Sequence, residues 1–139
     1  MAYWLIKSEP FKYSWDQFLR DGKTMWDGVR NYAARNNLRE MREGDLAFFY
    51  HSNEGLEIVG IAEVLREHYP DPTADSDTWS VVDFRPRCPM KRPLTLQEIK
   101  ADDQLKGIEL VRLSRLSVSR VSEAEAKHIL KLTGTRLPG

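Results

Sequence analysis

Cysteine occurs once in this 139-residue chain, at Cys88, so no internal disulfide framework is available and a reducing, intracellular setting is expected. Long hydrophobic runs are missing too. No stretch nears the roughly 18 apolar residues that span a bilayer. The opening Met1-Ala2-Tyr3-Trp4-Leu5-Ile6-Lys7 has neither the basic nor the apolar region of a secretory signal. A cytoplasmic protein is expected, or a nuclear one in a eukaryote, with no membrane partner. An excess of either charge is also absent, since 21 Lys and Arg balance 21 Asp and Glu. Without a whole-molecule basic field, affinity for bulk DNA is expected to be weak.

Most catalytic constellations are lacking as well. The three histidines, His51, His68 and His128, lie far apart and show no metal-ligand spacing with the lone cysteine. Neither a Walker A loop nor a dinucleotide glycine fingerprint occurs. No cofactor and no metal is therefore expected. Cys88 sits between Arg87 and Pro89, where a cation favours the thiolate, but no histidine with a partner acid lies near it in sequence. It reads as a structural residue.

The charge that is present clusters locally. Arg85, Arg87, Lys91 and Arg92 form one basic run without an acid, and Arg112, Arg115 and Arg120 form another. Such runs are either phosphate-meeting faces or plain solvated surface. A more telling feature is the stretch from Trp26 to Asn37. It places a Trp, a Tyr, three Asn and two Arg in a short span poorly suited to core filling. Trp and Tyr offer stacking faces, carboxamides a paired donor and acceptor, and guanidinium groups a partner for phosphate.

Within it, Trp26 is the candidate stacking wall, held by the Asp27-Gly28 turn, with a buried core Trp as the alternative. If it is a loop residue, Trp26→Ala loses binding with the fold intact. Asn31 and Asn36 are candidates for reading a base edge, or else cap loops through Asx turns. Arg30 and Arg35 meet phosphate or remain solvated, and Tyr32 offers a second ring. Ser8 ends one expected strand and Tyr50-His51-Ser52 ends another, so these four are expected on one cavity floor. Arg115 and Ser117 add a cation and a hydroxyl from the start of the last strand.

The rest of the chain reads as a single domain over 1–139, with 41% hydrophobic residues to build a core. Strands are expected at Tyr3–Lys7, Leu46–His51, Glu57–Glu67, Trp79–Arg85 and Leu116–Val121. Leu46–His51 is apolar on both alternating sets and so covered on both sides. Gly60 marks a bulge or a close backbone approach. Pro86, Pro89 and Pro93 are expected to break the chain after its fourth strand. Helical turns are expected after Ser14, ending at Asp21-Gly22, and over Leu38–Met41. Capping boxes at Thr95–Glu98 and Ser122–Glu125 start two more helices, the second ending near Thr133-Gly134. The βα alternation of a parallel nucleotide-binding sheet is missing. The class is α+β, a mixed curled sheet or small open barrel with peripheral helices.

Trp4-Leu5-Ile6-Lys7-Ser8-Glu9-Pro10, Trp26-Asp27-Gly28-Val29-Arg30-Asn31-Tyr32 and Ala34-Arg35-Asn36-Asn37-Leu38 closely resemble the EVE domain family of the PUA-like superfamily. The likeness continues through Gly44-Asp45, Phe48–Ser52, Val59–Val64, Tyr69-Pro70-Asp71-Pro72-Thr73 and Ser114–Val118. Ala33 departs from it, standing where a longer polar residue such as Gln is expected, which removes one possible ligand contact. The resemblance implies a PUA-like fold, a small curled mixed β-barrel flanked by short helices. It also implies a non-catalytic reader holding a modified base, with modified cytosine in DNA as the leading ligand and RNA as another. Val29 joins the binding set on that ground. A gripped base must leave the duplex stack, which costs a few kcal/mol. Alternatives are an RNA-binding module indifferent to modification, a small hydrolase using His51 with Ser52 or Ser117, and a protein- or metabolite-binding module. A monomer is favoured.

Overall fold

Both alternating side-chain sets of Leu46–His51 are buried, and each faces a different core. Ala47 and Phe49 turn to one side of the sheet, and Leu46, Phe48 and Tyr50 to the other. A computed structural model, describing residues 1–137, places this strand (β3) in a six-stranded sheet. The other strands are β1 (Tyr3–Ser8), β2 (Thr24–Met25), β4 (Glu57–Pro70), β5 (Ser80–Thr95) and β6 (Val118–Val121). Their order is β2-β5-β4-β3-β1-β6. Only β1 and β3 pair in parallel; the other neighbours are antiparallel. The sheet does not close, so the expected barrel is an open, mixed sheet with β2 and β6 as its edges. The α+β class stands.

Helices cover both faces. The first core takes Trp15 and Phe18 of α1 (Trp15–Asp21) and Ala34 and Leu38 of α2 (Tyr32–Glu40). The second takes Ile99 of α3 (Leu96–Ala101), Leu110 of α4 (Glu109–Arg112) and Ala126 and Ile129 of α5 (Glu123–Thr133). Local chemistry sets most helix ends. Ser14 accepts from the Gln17 N–H at 3.0 Å, and Gly22 closes α1 in the left-handed region at φ 75°. Capping boxes at Thr95 and Ser122 open α3 and α5 as expected.

Three features depart from the sequence reading. The polar stretch after Trp26 is not loop throughout, because α2 begins at Tyr32, six residues before the expected turn. Asn31 caps it, accepting from the Ala34 N–H at 3.0 Å, and buried Asn37 donates to the Val118 carbonyl at 2.7 Å. Tertiary bonding thus outweighs the weak helix propensity of paired asparagines. Second, the prolines do not end β5. Pro86 and Pro89 stand opposite Ala62 and Gly60, beside register shifts where a ladder N–H is not demanded. Third, Trp26 is a core residue with 9% exposure, set edge-on to Phe49 and Phe84 at 5.7 and 5.8 Å. Its replacement cannot leave the fold untouched.

Both basic runs are largely neutralised. Arg85 and Arg87 meet Glu63, Arg92 meets Glu98, Arg112 meets Glu109 and Arg120 meets Glu40. Among the described residues no helix is long and apolar enough to cross a membrane.

Candidate functional site

Where β1 ends, the chain opens a cleft of about 500 Å³ over the first core. Lys7 and Ser8 come from the strand end, and Glu9, Lys12 and Tyr13 from the turn before α1. Met25 and the segment Trp26–Arg30 form the opposite wall, and Ser117 enters from the approach to β6. The volume lies in the range of small-ligand sites and accommodates a nucleobase.

Two rings make a corner in this cleft. Tyr13 and Trp26 lie 6.3 Å apart at 77°, so one ring presents an edge to the face of the other. The Tyr13 hydroxyl donates to Asp21 at 3.0 Å, and burial foremost raises its pKa. Beside them, Met25 and the buried Val29 supply apolar surface. The floor is polar but mostly engaged. Ser8 Oγ donates to the Tyr13 carbonyl at 2.5 Å. Lys7 Nζ donates to the Ser114 carbonyl at 2.7 Å, and burial lowers its pKa. Glu9 pairs with Lys12 at 3.5 Å.

The Trp26–Arg30 wall is tied down from outside. Asp71, whose side chain is fully buried, accepts from the Gly28 N–H at 3.0 Å and from Arg30 at 2.9 Å through one oxygen. Its other oxygen accepts from the Thr73 N–H and hydroxyl at 2.7 and 2.6 Å. Burial alone would push the Asp71 carboxyl up, but the bonds from Thr73, Arg30 and Gly28 outweigh it and hold it at about 2. Gly28 has φ 77°, a conformation that a side chain would strain.

A pH dependence follows from this carboxylate. A folded pKa of about 2, against an ordinary value of 3.8, contributes about 2 kcal/mol of stability above pH 4. That contribution is lost as pH falls from about 4 toward 2. Asp71→Asn should therefore be less stable than the parent at neutral pH by about that amount. The difference should shrink across this window in denaturant titrations. A difference that holds constant down to pH 2 would show that the carboxylate is not what secures the wall.

The structure brings Ser8, Trp26, Val29, Arg30 and Ser117 together in the cleft lining and leaves the other sequence candidates outside it. Asn31 caps α2. Tyr32, 62% exposed, lies 5.1 Å from the Trp79 ring, with the Arg35 guanidinium 4.9 Å from its own centroid. Arg30 lies 5.8 Å from Trp79, so this aromatic and cationic patch adjoins the cleft. Asn36 accepts two bonds from Arg35. Tyr50 cannot share a floor with Ser8, because strand alternation buries it in the second core, and that burial raises its pKa. His51 Nε2 accepts from the Trp15 N–H at 3.1 Å, so the ring is engaged at the start of α1. Desolvation lowers its pKa. Ser52 donates its N–H to the Ser8 carbonyl at 2.9 Å. Arg115 is exposed on the turn after α4. Sequence reasoning missed Tyr13, Met25 and Asp27 as wall residues and Asp71 as their anchor. Asp27 and Asp71 were visible inside the quoted motifs, whereas nothing in the sequence marks Tyr13.

An open mixed sheet carrying an aromatic corner over a polar floor makes up this small α+β domain. The EVE domain model matches residues 2–132, and the chain belongs to that family. Mouse thymocyte nuclear protein 1 is 38% identical, over 96% of this chain and 74% of its own length. The crystal structure of protein Atu2648 from Agrobacterium tumefaciens superposes with a TM-score of 0.95 at 46% identity, covering 100% of both chains. The human THYN1 protein, solved in complex with DNA containing 5-methylcytosine, superposes with a TM-score of 0.89 at 34% identity, covering 98% of this chain and 99% of its own.

Proposed function

We propose that this protein is a non-catalytic reader that holds 5-methylcytosine, turned out of DNA, in the cleft between the end of β1 and the Trp26–Arg30 wall. The observation that carries the reading is the likeness over the whole domain to a human protein bound to DNA containing that base. The chemistry of the cleft supports it. Tyr13 and Trp26 provide aromatic surface for a planar ring, and Met25 and Val29 provide apolar contact for a methyl group. Ser8, Lys7 and Ser117 provide polar contacts at the rim of that ring. Beside the cleft, Tyr32, Trp79 and Arg35, together with Arg30 at its wall, offer stacking and cationic contacts to the strand flanking the base. With zero net charge and both basic runs largely answered by carboxylates, binding energy must come mainly from the cleft.

The test is a titration of short matched oligonucleotides, DNA and RNA, single- and double-stranded, with and without 5-methylcytosine, followed by tryptophan fluorescence. Saturable quenching by methylated DNA is expected, with a preference over unmodified cytosine of about 10- to 200-fold, the value of one methyl in an apolar pocket. Equal binding of methylated and unmodified strands would sink the modified-base reading. Stronger binding of RNA would move the ligand class.

A further inference from the structure

Asp27 stands apart among the cleft's charged side chains. Glu9 is paired with Lys12, Lys7 is bonded to the Ser114 carbonyl, and Arg30 is held by Asp71. Asp27 lines the same cleft, yet among the described residues its carboxylate has no hydrogen-bond or ion-pair partner. Its one bond is made by the backbone, whose N–H donates to the Met25 carbonyl at 3.0 Å. Asp27 is exposed, and on an open solvent face such a carboxylate needs no explanation. One at the wall of a cleft, beside an aromatic corner, presents an unanswered acceptor to whatever enters.

We propose that Asp27 is the residue that tells 5-methylcytosine from thymine, an inference that rests on reading the cleft as a 5-methylcytosine site. The two bases carry the same methyl group at the same ring position, and their outlines nearly coincide. Stacking on Tyr13 or Trp26 and apolar contact with Met25 and Val29 cannot separate them. They differ at position 4, where cytosine carries an amino donor and thymine a carbonyl acceptor, and at ring nitrogen 3, where cytosine is an acceptor and thymine an N–H donor, so a carboxylate separates them only where it faces position 4. An ionised carboxylate is an acceptor only. Placed opposite position 4 it accepts from the cytosine amino group and repels the thymine carbonyl. The remaining cytosine edge offers only acceptors, and the Ser117 hydroxyl and the Lys12 ammonium are donors within the same lining. The carboxylate thus makes the cleft selective in the one respect where shape and methyl contact give nothing. Discrimination is needed because thymine is the commonest methylated pyrimidine in DNA.

The decisive variant is Asp27→Asn, which keeps size and backbone but adds a donor that can face the thymine carbonyl. Three single strands are compared, identical except for one central position holding 5-methylcytosine, cytosine or thymine, and binding is followed by fluorescence anisotropy at fixed salt. The parent should favour 5-methylcytosine over thymine by about tenfold or more. In Asp27→Asn that ratio should fall to within about threefold, through a gain in thymine binding that misfolding cannot produce. Loss of a negative charge raises affinity for every strand alike, so the ratio is insensitive to it. Retained preference for 5-methylcytosine over cytosine in the variant shows the methyl contact intact. An unchanged ratio to thymine in a variant that keeps the methyl preference overturns the role of Asp27 and leaves the reader function standing. A parent that binds 5-methylcytosine and thymine equally also overturns it. A parent that binds none of the strands removes both this inference and the function beneath it.

Discussion

Trp26→Ala should lose about 3–5 kcal/mol of stability, the usual cost of emptying a buried aromatic site. The ring packs edge-on against Phe49, Phe84 and Tyr13, so its removal opens a void between the sheet and the cleft. Domains of this size are stable by only about 5–15 kcal/mol, and the variant should unfold at markedly lower denaturant. Binding loss in that variant alone would therefore say little about contact with a base. Trp26→Phe separates the two roles. Phenylalanine keeps a ring against Phe49 and Phe84 and should cost well under half as much, while reducing the aromatic surface that Trp26 offers the cleft. A Phe variant that is folded in a denaturant titration and at least about tenfold weaker for the methylated strand assigns the ring to ligand contact. Parent-like affinity in that variant confines Trp26 to the core. A parent-like unfolding midpoint for Trp26→Ala would contradict its burial.

Gly60→Ala should be the most damaging single-methyl change in the chain. A Cβ built at Gly60 meets the benzo edge of Trp15 at 2.4 Å, well inside contact distance. Trp15 has no free side to retreat to, since Phe18 and Phe49 pack on it edge-to-face at 5.5 and 5.4 Å. Alanine in a strand interior is otherwise favoured over glycine by roughly 0.5–1 kcal/mol. Here the sign should reverse, with a loss of about 3 kcal/mol and a fall in melting temperature of roughly 10 °C. Adding Trp15→Phe, which removes atoms that the new methyl strikes, should recover part of the loss and give a favourable coupling in a double-mutant cycle. Equal melting points for Gly60→Ala and the parent would mean that Trp15 does not lie over this backbone.

The same glycine marks where sequence reading succeeds. A lone Gly in an otherwise β-branched run has few explanations, and the structure supplies both of the expected ones, a register shift and a ring pressed on the backbone. The caps at Ser14, Thr95 and Ser122 were equally legible, because their chemistry is complete within four residues. What was hidden depends on partners distant in sequence. The helix over Tyr32–Glu40 needs Val118 to receive Asn37, and β5 passes its prolines only because β4 shifts register opposite them. Trp26 reads as a loop residue until Phe49 and Phe84 are brought against it. In the candidate site, Ser8, Arg30 and Ser117 were named from motifs, yet the carboxylate that holds the wall in place, Asp71, lay inside a quoted motif with nothing local to mark its role. A buried anion is identified by its donors, and those come from Gly28 and Arg30, far upstream.

The outer rim of β6 has a consequence for how this molecule behaves among its own copies. Along that edge the Val118 carbonyl receives Asn37, and the Arg120 N–H is held by a Glu109 carboxylate oxygen at 2.8 Å. Side chains thus occupy outward-facing backbone groups that an incoming strand would use to extend the sheet. At the opposite rim β2 is two residues long and offers little template. The unpaired edge of an open sheet is a template on which another strand can pair. Here the β6 margin is occupied by side chains and the β2 margin is short, so the lack of barrel closure leaves β6 a poor template for a second copy.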